Sequence, residues 1–230
     1  MHIIELDGIC KNFKGTFGEV KALQNVSFSV DKGEFLVITG ASGSGKSTLM
    51  NIIGCLDKPS SGMYYLNGRD VSRLRGSQLA RLRNRSIGFV FQECNLIKTL
   101  TACENVWMPL YYRGVNSAQR KSAALDALRA VGLTDRANHL PHELSGGQRQ
   151  RVAIARVIAA HPDIILADEP TGSLDSATGK EITDILRSLS EKGITVIIIT
   201  HDDSMASSAK RVITICSGKC TAERMSSDGS

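Results

Sequence analysis

Gly40-Ala41-Ser42-Gly43-Ser44-Gly45-Lys46-Ser47-Thr48 decides the reading of this chain. It follows an apolar run, Phe35-Leu36-Val37-Ile38, and opens onto Leu49-Met50-Asn51-Ile52-Ile53, which reads as a helix. Strand, glycine loop and helix form the context in which G-x-x-x-x-G-K-[ST] denotes a phosphate-binding loop. Gly40, Gly43 and Gly45 accept backbone angles that other residues resist, so successive N–H groups turn towards one centre. The helix beginning near Lys46 aims its positive end at the same point. Lys46 supplies a charge for β- and γ-phosphates, and the Ser47 hydroxyl is placed to hold Mg²⁺.

Downstream, three apolar runs each end in a polar side chain. Ile87-Gly88-Phe89-Val90-Phe91 reads as a buried strand delivering Gln92 at its C-terminal end, where parallel α/β sheets place ligand contacts. Gln92 is therefore a candidate for Mg²⁺ or for the attacking water. Ile164-Ile165-Leu166-Ala167 is a central strand ending in Asp168-Glu169. A carboxylate there, beside a phosphate loop, holds Mg²⁺, which assigns Asp168. Glu169 is positioned to orient or deprotonate the water that attacks a γ-phosphate. Thr195 to Thr200 is another buried strand, presenting His201 for a γ-phosphate contact, and Arg211 to Cys216 is the last strand.

Leu144-Ser145-Gly146-Gly147-Gln148 is a second glycine-rich loop feeding a helix, Gln148 to Ala160, and it too is suited to an anion. One nucleotide needs only one such loop. Either the chain binds two phosphates or two chains share sites. Ala118 to Val131 reads as a helix stopped by Gly132, and residues 93–159 read as a helical insertion. Thr171 to Asp175 forms a turn and cap into a helix running towards Leu189. Upstream, residues 2–9 and 26–30 alternate as antiparallel strands. Phe13, in a loop between them, is a candidate to stack on a base, with Phe17 its rival. Tyr64 to Leu66 reads as a strand ending in a tight turn at Asn67-Gly68, and Ser77 to Arg85 as a helix.

Bulk properties narrow the class. Hydrophobic residues make up 42% of the 230 and charged residues 22%, as in an ordinary globular protein. No apolar run approaches the ~20 residues of a membrane span, and Met1-His2-Ile3-Ile4-Glu5 does not read as a secretory signal. The net charge is +5, with arginines gathered between Arg69 and Arg85. No aromatic residues interleave them, so a solvated face is the expected reading and no nucleic acid is expected. Cys10, Cys55, Cys94, Cys103, Cys216 and Cys220 lack metal spacing and read as reduced thiols. From Thr221 onward the chain is polar and expected to be disordered, leaving one domain over 1–220.

Together these motifs resemble the ATP-binding subunit of an ABC transporter, over about residues 3–220. Gly40 to Thr48 matches the Walker A loop, Gln92 the Q-loop and Leu144 to Gln148 the LSGGQ signature. Ile164 to Glu169 matches Walker B with its catalytic glutamate, Ser173-Leu174-Asp175 the D-loop and His201 the switch histidine. The resemblance implies an α/β P-loop NTPase with a RecA-like parallel-sheet core, an antiparallel β subdomain and an inserted helical subdomain. It implies ATP and Mg²⁺ as ligands: Gly40 to Thr48 and Phe13 around ATP, with Ser47, Gln92 and Asp168 at the metal. Glu169, His201, Gln92 and Lys46 would carry catalysis. The two-loop question resolves as a head-to-tail homodimer, in which Ser145, Gly146, Gly147, Gln148 and Asp175 meet ATP in trans. The branch most resembled includes the lipoprotein-release, macrolide-export and antimicrobial-peptide-resistance ATPases. That implies an integral membrane permease of the FtsX or MacB type as partner, and a place on the cytoplasmic face of the membrane. The alternative is an FtsE-like ATPase that signals to a membrane partner without transport. Two departures stand out: Phe13 where many relatives carry tyrosine, and Glu93-Cys94 where Gln-Phe is expected.

Overall fold

The computed structural model describes residues 2–15 and 18–225. A long hairpin comes first, β1 (His2–Gly15) and β2 (Gly18–Asp31), followed by β3 (Phe35–Thr39) and α1 (Lys46–Ile53). The chain continues through β4 (Ser61–Leu66), β5 (Arg69–Asp70), α2 (Gly76–Ser86) and β6 (Ile87–Phe91). Three helices lie between β6 and the next strand: α3 (Ala102–Tyr112), α4 (Ser117–Ala130) and α5 (Gly146–Ala159). Then come β7 (Ile164–Asp168), α6 (Ser176–Glu191), β8 (Thr195–Ile199), α7 (Asp203–Ser208), β9 (Arg211–Cys216) and β10 (Lys219–Met225).

The strands form two sheets, an antiparallel one in the order β2-β1-β4-β5 and a larger one in the order β10-β9-β3-β8-β7-β6. In the larger sheet β9, β3, β8, β7 and β6 run parallel, and only β10 is antiparallel. Its middle strands, β3, β8 and β7, are apolar except at their end residues because both faces are covered. Val37, Ile165, Ala167, Val196 and Ile198 face one core with α3, α4, α5 and α6. Leu36, Ile38, Ile164, Leu166, Ile197 and Ile199 face the other, with α1 and the antiparallel sheet. Side chains alternate across a strand, so neighbouring residues serve different cores.

Several expectations need correction. The polar stretch after Thr221 does not begin a disordered tail: through Met225 it is β10. The Ser217-Gly218 turn, with φ of 47° and 75°, has the two left-handed residues that a tight hairpin requires. Arg211 on β9 then clamps β10 through Glu223 at 2.7 Å and holds Glu34 at 2.7 Å. Residues 11–15, expected as a loop around Phe13, extend β1, with Phe13 paired to Val20. Phe17 lies outside the described residues. Gly146 and Gly147 belong to the first turn of α5 rather than to a loop, because Ser145 caps the helix one residue earlier. α3 was not anticipated; it is started by a capping box between Thr101 and Glu104 and tolerates Pro109 inside it.

Candidate nucleotide site

The loop between β3 and α1 is held by close backbone approaches. Gly40 has φ 150° and Gly45 has φ 107°. A Cβ on Gly40 would sit 2.1 Å from the Ile215 carbonyl oxygen, and one on Gly45 2.6 Å from that of Ala22. Both positions therefore require glycine for space as well as for angle. The Gly218 N–H donates to the Ser44 carbonyl at 2.8 Å, so the β9–β10 turn braces the loop. α1 begins at Lys46 with no side-chain cap, which leaves its first amides open to an anion. The Lys46 ammonium donates to the carbonyls of Gly40 at 2.6 Å and Ala41 at 2.9 Å, spanning the loop.

The opposite wall comes from strand ends in register: Phe91 of β6 pairs with Asp168 of β7, which pairs with Ile199 of β8. Asp168 is half-buried, and burial pushes its carboxyl above the ordinary value. The Glu169 charge adds to that and Lys46 opposes it. Glu169 adopts φ 45°, a left-handed conformation that a non-glycine residue keeps only where its surroundings impose it. Those surroundings are visible. Glu169 Oε2 accepts from the Thr200 hydroxyl at 2.9 Å, and Oε1 lies 3.0 Å from the His201 backbone N and 2.5 Å from its Nδ1. The Glu169 N–H donates to the Ile199 carbonyl at 2.9 Å.

A cleft of about 770 Å³ joins these parts. Ser42, Gly43, Gly45, Lys46, Ser47 and Thr48 line it from one side and Asp168, Glu169 and His201 from the other. Val20, Lys21, Ala22 and Gln24 of β2 and Ser217-Gly218 close its flank. Gln92 is exposed just beyond β6. Its Nε2 would be 3.0 Å from a Cβ on Gly172, so it packs over the turn that follows Glu169. Phe13 stands outside the cleft wall, beside Val20, with the Lys11 ammonium 5.1 Å from its ring centroid.

Ser145 to Gln148 do not line this cleft within the chain. Ser145 Oγ accepts from the Gln148 N–H at 3.2 Å, and Gln148 Oε1 accepts from the Ser145 N–H at 2.9 Å. Gly147 packs so tightly on Thr178 of α6 that a Cβ would approach its Cγ2 to 2.3 Å. Asp175 caps α6, accepting from the Thr178 N–H at 3.0 Å and hydroxyl at 2.7 Å. The backbone bond is the main reason its carboxyl lies below the ordinary value.

The sequence profile of the ABC transporter family matches residues 23–172. The chain belongs to this family. A macrolide export ATP-binding/permease protein, MacB, of Burkholderia pseudomallei is 49% identical over 223 residues, 97% of this chain and 34% of that protein. This chain thus spans about a third of the length of that relative. An uncharacterised ABC transporter ATP-binding protein of Thermotoga maritima is 49% identical over 219 residues, 94% of this chain and 93% of that protein. A dimeric structure of a post-hydrolysis state of the ATP-binding cassette MJ0796, bound to ADP and Pi, superposes with a TM-score of 0.89. It is 44% identical and covers 96% of this chain and 98% of that one.

Within this ABC cassette, sequence reading missed Thr200, the second anchor of Glu169. A hydroxyl closing an otherwise apolar strand, directly before His201, was the available signal. It also missed the β2 residues and the Ser217-Gly218 turn that wall the cleft. Contacts between segments so far apart in sequence leave no local pattern. Among the described residues no helix is long and apolar enough to cross a membrane.

Proposed function

We propose that this chain is the ATP-binding and ATP-hydrolysing subunit of an ABC transporter, and that it works as a head-to-tail pair driving a separate FtsX- or MacB-type membrane permease. The observation that carries this reading is the cleft itself. Open amides and Lys46 face a carboxylate, Glu169, that Thr200 and His201, just beyond β8, hold in one fixed orientation. The loop amides and Lys46 bind the β- and γ-phosphates, and Phe13 stacks on adenine. Glu169 orients the attacking water and takes its proton, His201 contacts the γ-phosphate, and Gln92 closes on the same water from the end of β6.

The donor set suits Mg²⁺. Ser47 offers a hydroxyl, Asp168 a carboxylate and Gln92 an amide oxygen, all hard ligands. No group of three or more His, Cys, Asp or Glu side chains is placed to cage a metal among the described residues. Mg²⁺ is commonly held by one or two carboxylates together with phosphates and waters, so Ser47, Asp168 and Gln92 would hold it here. Once bound, it would neutralise charge on the phosphates. Asp168, whose carboxyl is raised by burial and further by the Glu169 charge beside it, is the kind of place a cation relieves.

Ser145 to Gln148 and Asp175 serve the partner's nucleotide. They lie away from the chain's own cleft, and α5 starts from a glycine-rich turn suited to an anion. The MJ0796 cassette is dimeric in the structure described above. With a permease as partner, the subunit works at the cytoplasmic face of the membrane. The test is a pull-down of the Glu169→Gln protein with Mg-ATP from detergent-solubilised membranes. Recovery of an integral membrane protein with few spans and a large outer domain supports the reading. A many-span importer permease overturns the branch, and ribosomal proteins or DNA without a membrane protein overturn the transporter role.

A further inference from the structure

Gln150 in the second turn of α5 is 1% exposed, and both polar ends of its side chain are engaged by the segment that carries Gln92. Its Nε2 donates to the Phe91 carbonyl at 3.2 Å, and its Oε1 accepts from the Cys94 thiol at 2.7 Å. Further along the same helix, Arg156 donates to the carbonyls of Cys94 and Asn95, each at 2.8 Å. Four hydrogen bonds thus join α5 to residues 91–95. The joined segment is a strained turn: Cys94 and Asn95 have φ of 59° and 47°. Consecutive non-glycine residues keep left-handed angles only where surrounding contacts impose them. Burial pushes the Cys94 thiol up, so it stays protonated and able to donate.

The same helix starts at Ser145. Its body is rigidly packed, with Val152, Ala153, Ile154 and Ala155 all fully buried. One stiff element therefore carries Ser145–Gln148 as its own cap and first turn and grips the Gln92 turn through its flank. We infer that Gln150 is a positioning residue that makes Gln92 and the Ser145–Gln148 end of α5 move as one unit, and so couples the two nucleotide sites of a pair. The inference rests on the shared-site reading above. When this helix end seats on the partner's nucleotide, the displacement passes along α5 through Gln150 to residues 91–95. It then reaches Gln92, which lies over the Glu169–Gly172 turn of the chain's own site. A buried polar group satisfied at both ends specifies one arrangement of the two segments, because any slip leaves the buried Gln150 amide unpaired.

The experiment compares wild type, Gln150→Leu, Cys94→Ala and Cys94→Ser for kcat, for the Hill coefficient of hydrolysis against ATP, and for affinity of the monomer for a fluorescent ATP analogue. Gln150→Leu is expected to lower kcat by about ten- to a hundred-fold, the scale of a sub-ångström to 1 Å misplacement. Its Hill coefficient should fall towards one while analogue affinity stays at the wild-type level. Cys94→Ser keeps a donor for Gln150 and should behave as wild type, with Cys94→Ala between the two. Should Gln150→Leu fail to fold, the contrast between Cys94→Ala and Cys94→Ser carries the test. Wild-type kcat and Hill coefficient in the foldable variants overturn the coupling, as does equal loss of analogue binding and turnover, which marks a merely structural role. A wild-type protein that fails to hydrolyse ATP removes the shared-site reading first, and the coupling with it.

Discussion

Glu169 Oε1 lies 2.5 Å from His201 Nδ1, and the same oxygen accepts the His201 backbone N–H at 3.0 Å. The carboxylate is mostly buried and the imidazole mostly exposed, so the contact spans the cleft floor and its mouth. With Nδ1 committed to Glu169, Nε2 is the ring nitrogen left for the γ-phosphate contact proposed above. One residue sets the other's orientation.

From that pairing, Glu169→Gln is expected to retain ATP binding and lose turnover. The amide keeps the shape and can still accept from Thr200, but it takes no proton. With hydrolysis stalled, Mg-ATP should hold the protein as a dimer on gel filtration. His201→Ala should also lower kcat, by about 10²-fold for a lost contact at the reacting charge. Undiminished phosphate release by Glu169→Gln would reject Glu169 as the base.

Lys46 leads to a prediction about binding rather than turnover. Its ammonium ties the Gly40 and Ala41 carbonyls at the edge of the cleft, and the proposed reading has it meet the phosphates. Lys46→Ala should weaken ATP affinity by more than ten-fold in equilibrium titration. Lys46→Arg should fail similarly, because a planar fork does not replace a compact ammonium between two carbonyls. Arginine at wild-type affinity would show that charge alone suffices.

Ser145 separates two roles by its substitutions. As N-cap of α5 it satisfies the Gln148 N–H, so Ser145→Ala should cost about 1 kcal/mol in chemical denaturation. Ser145→Arg adds bulk where the partner's nucleotide would sit. Turnover should vanish while binding to the monomer persists. Loss of both would assign the loop to its own chain.

Legibility in the sequence followed burial. β3, β6, β7 and β8 read directly because burial keeps their central residues apolar. The polar residues breaking those runs, Gln92, Asp168, Glu169 and His201, marked the strand ends. β10 did not read, since it is an edge strand whose outer residues meet water and whose pairing depends on Arg211 and Glu223. α3 was masked by Pro109 and by aromatic residues of low helix propensity, and it forms because Thr101 and Glu104 cap it. Phe13 was read as a loop residue because glycines flank the hairpin end, whereas its pairing with Val20 needs β2 in view. Thr200 left only the faint signal of a hydroxyl closing an apolar strand, its partner Glu169 being 31 residues away. Gln150 acts through partners 56 and 59 residues away, beyond any local signal.

Asp168 makes stability and function oppose each other. Its carboxyl is raised first by burial, next by the Glu169 charge, and lowered only by Lys46. A folded-state value above the unfolded one, about 3.9, means that the native protein binds this proton more tightly. The group therefore favours folding below the unfolded value, and that support is lost as pH rises through the folded value. At neutral pH the ionised Asp168 is a burden on the fold. Asp168→Asn removes the charge with little change of shape, so without Mg²⁺ its melting temperature should exceed wild type at pH 7.5. The gap should close as pH falls towards 4. Mg²⁺ with ATP should stabilise the wild type more than the variant, and hydrolysis by the variant should be lost. Melting curves across that pH range decide the matter: a variant less stable than wild type at pH 7.5 would mean that the carboxylate is needed by the fold and not only by the site.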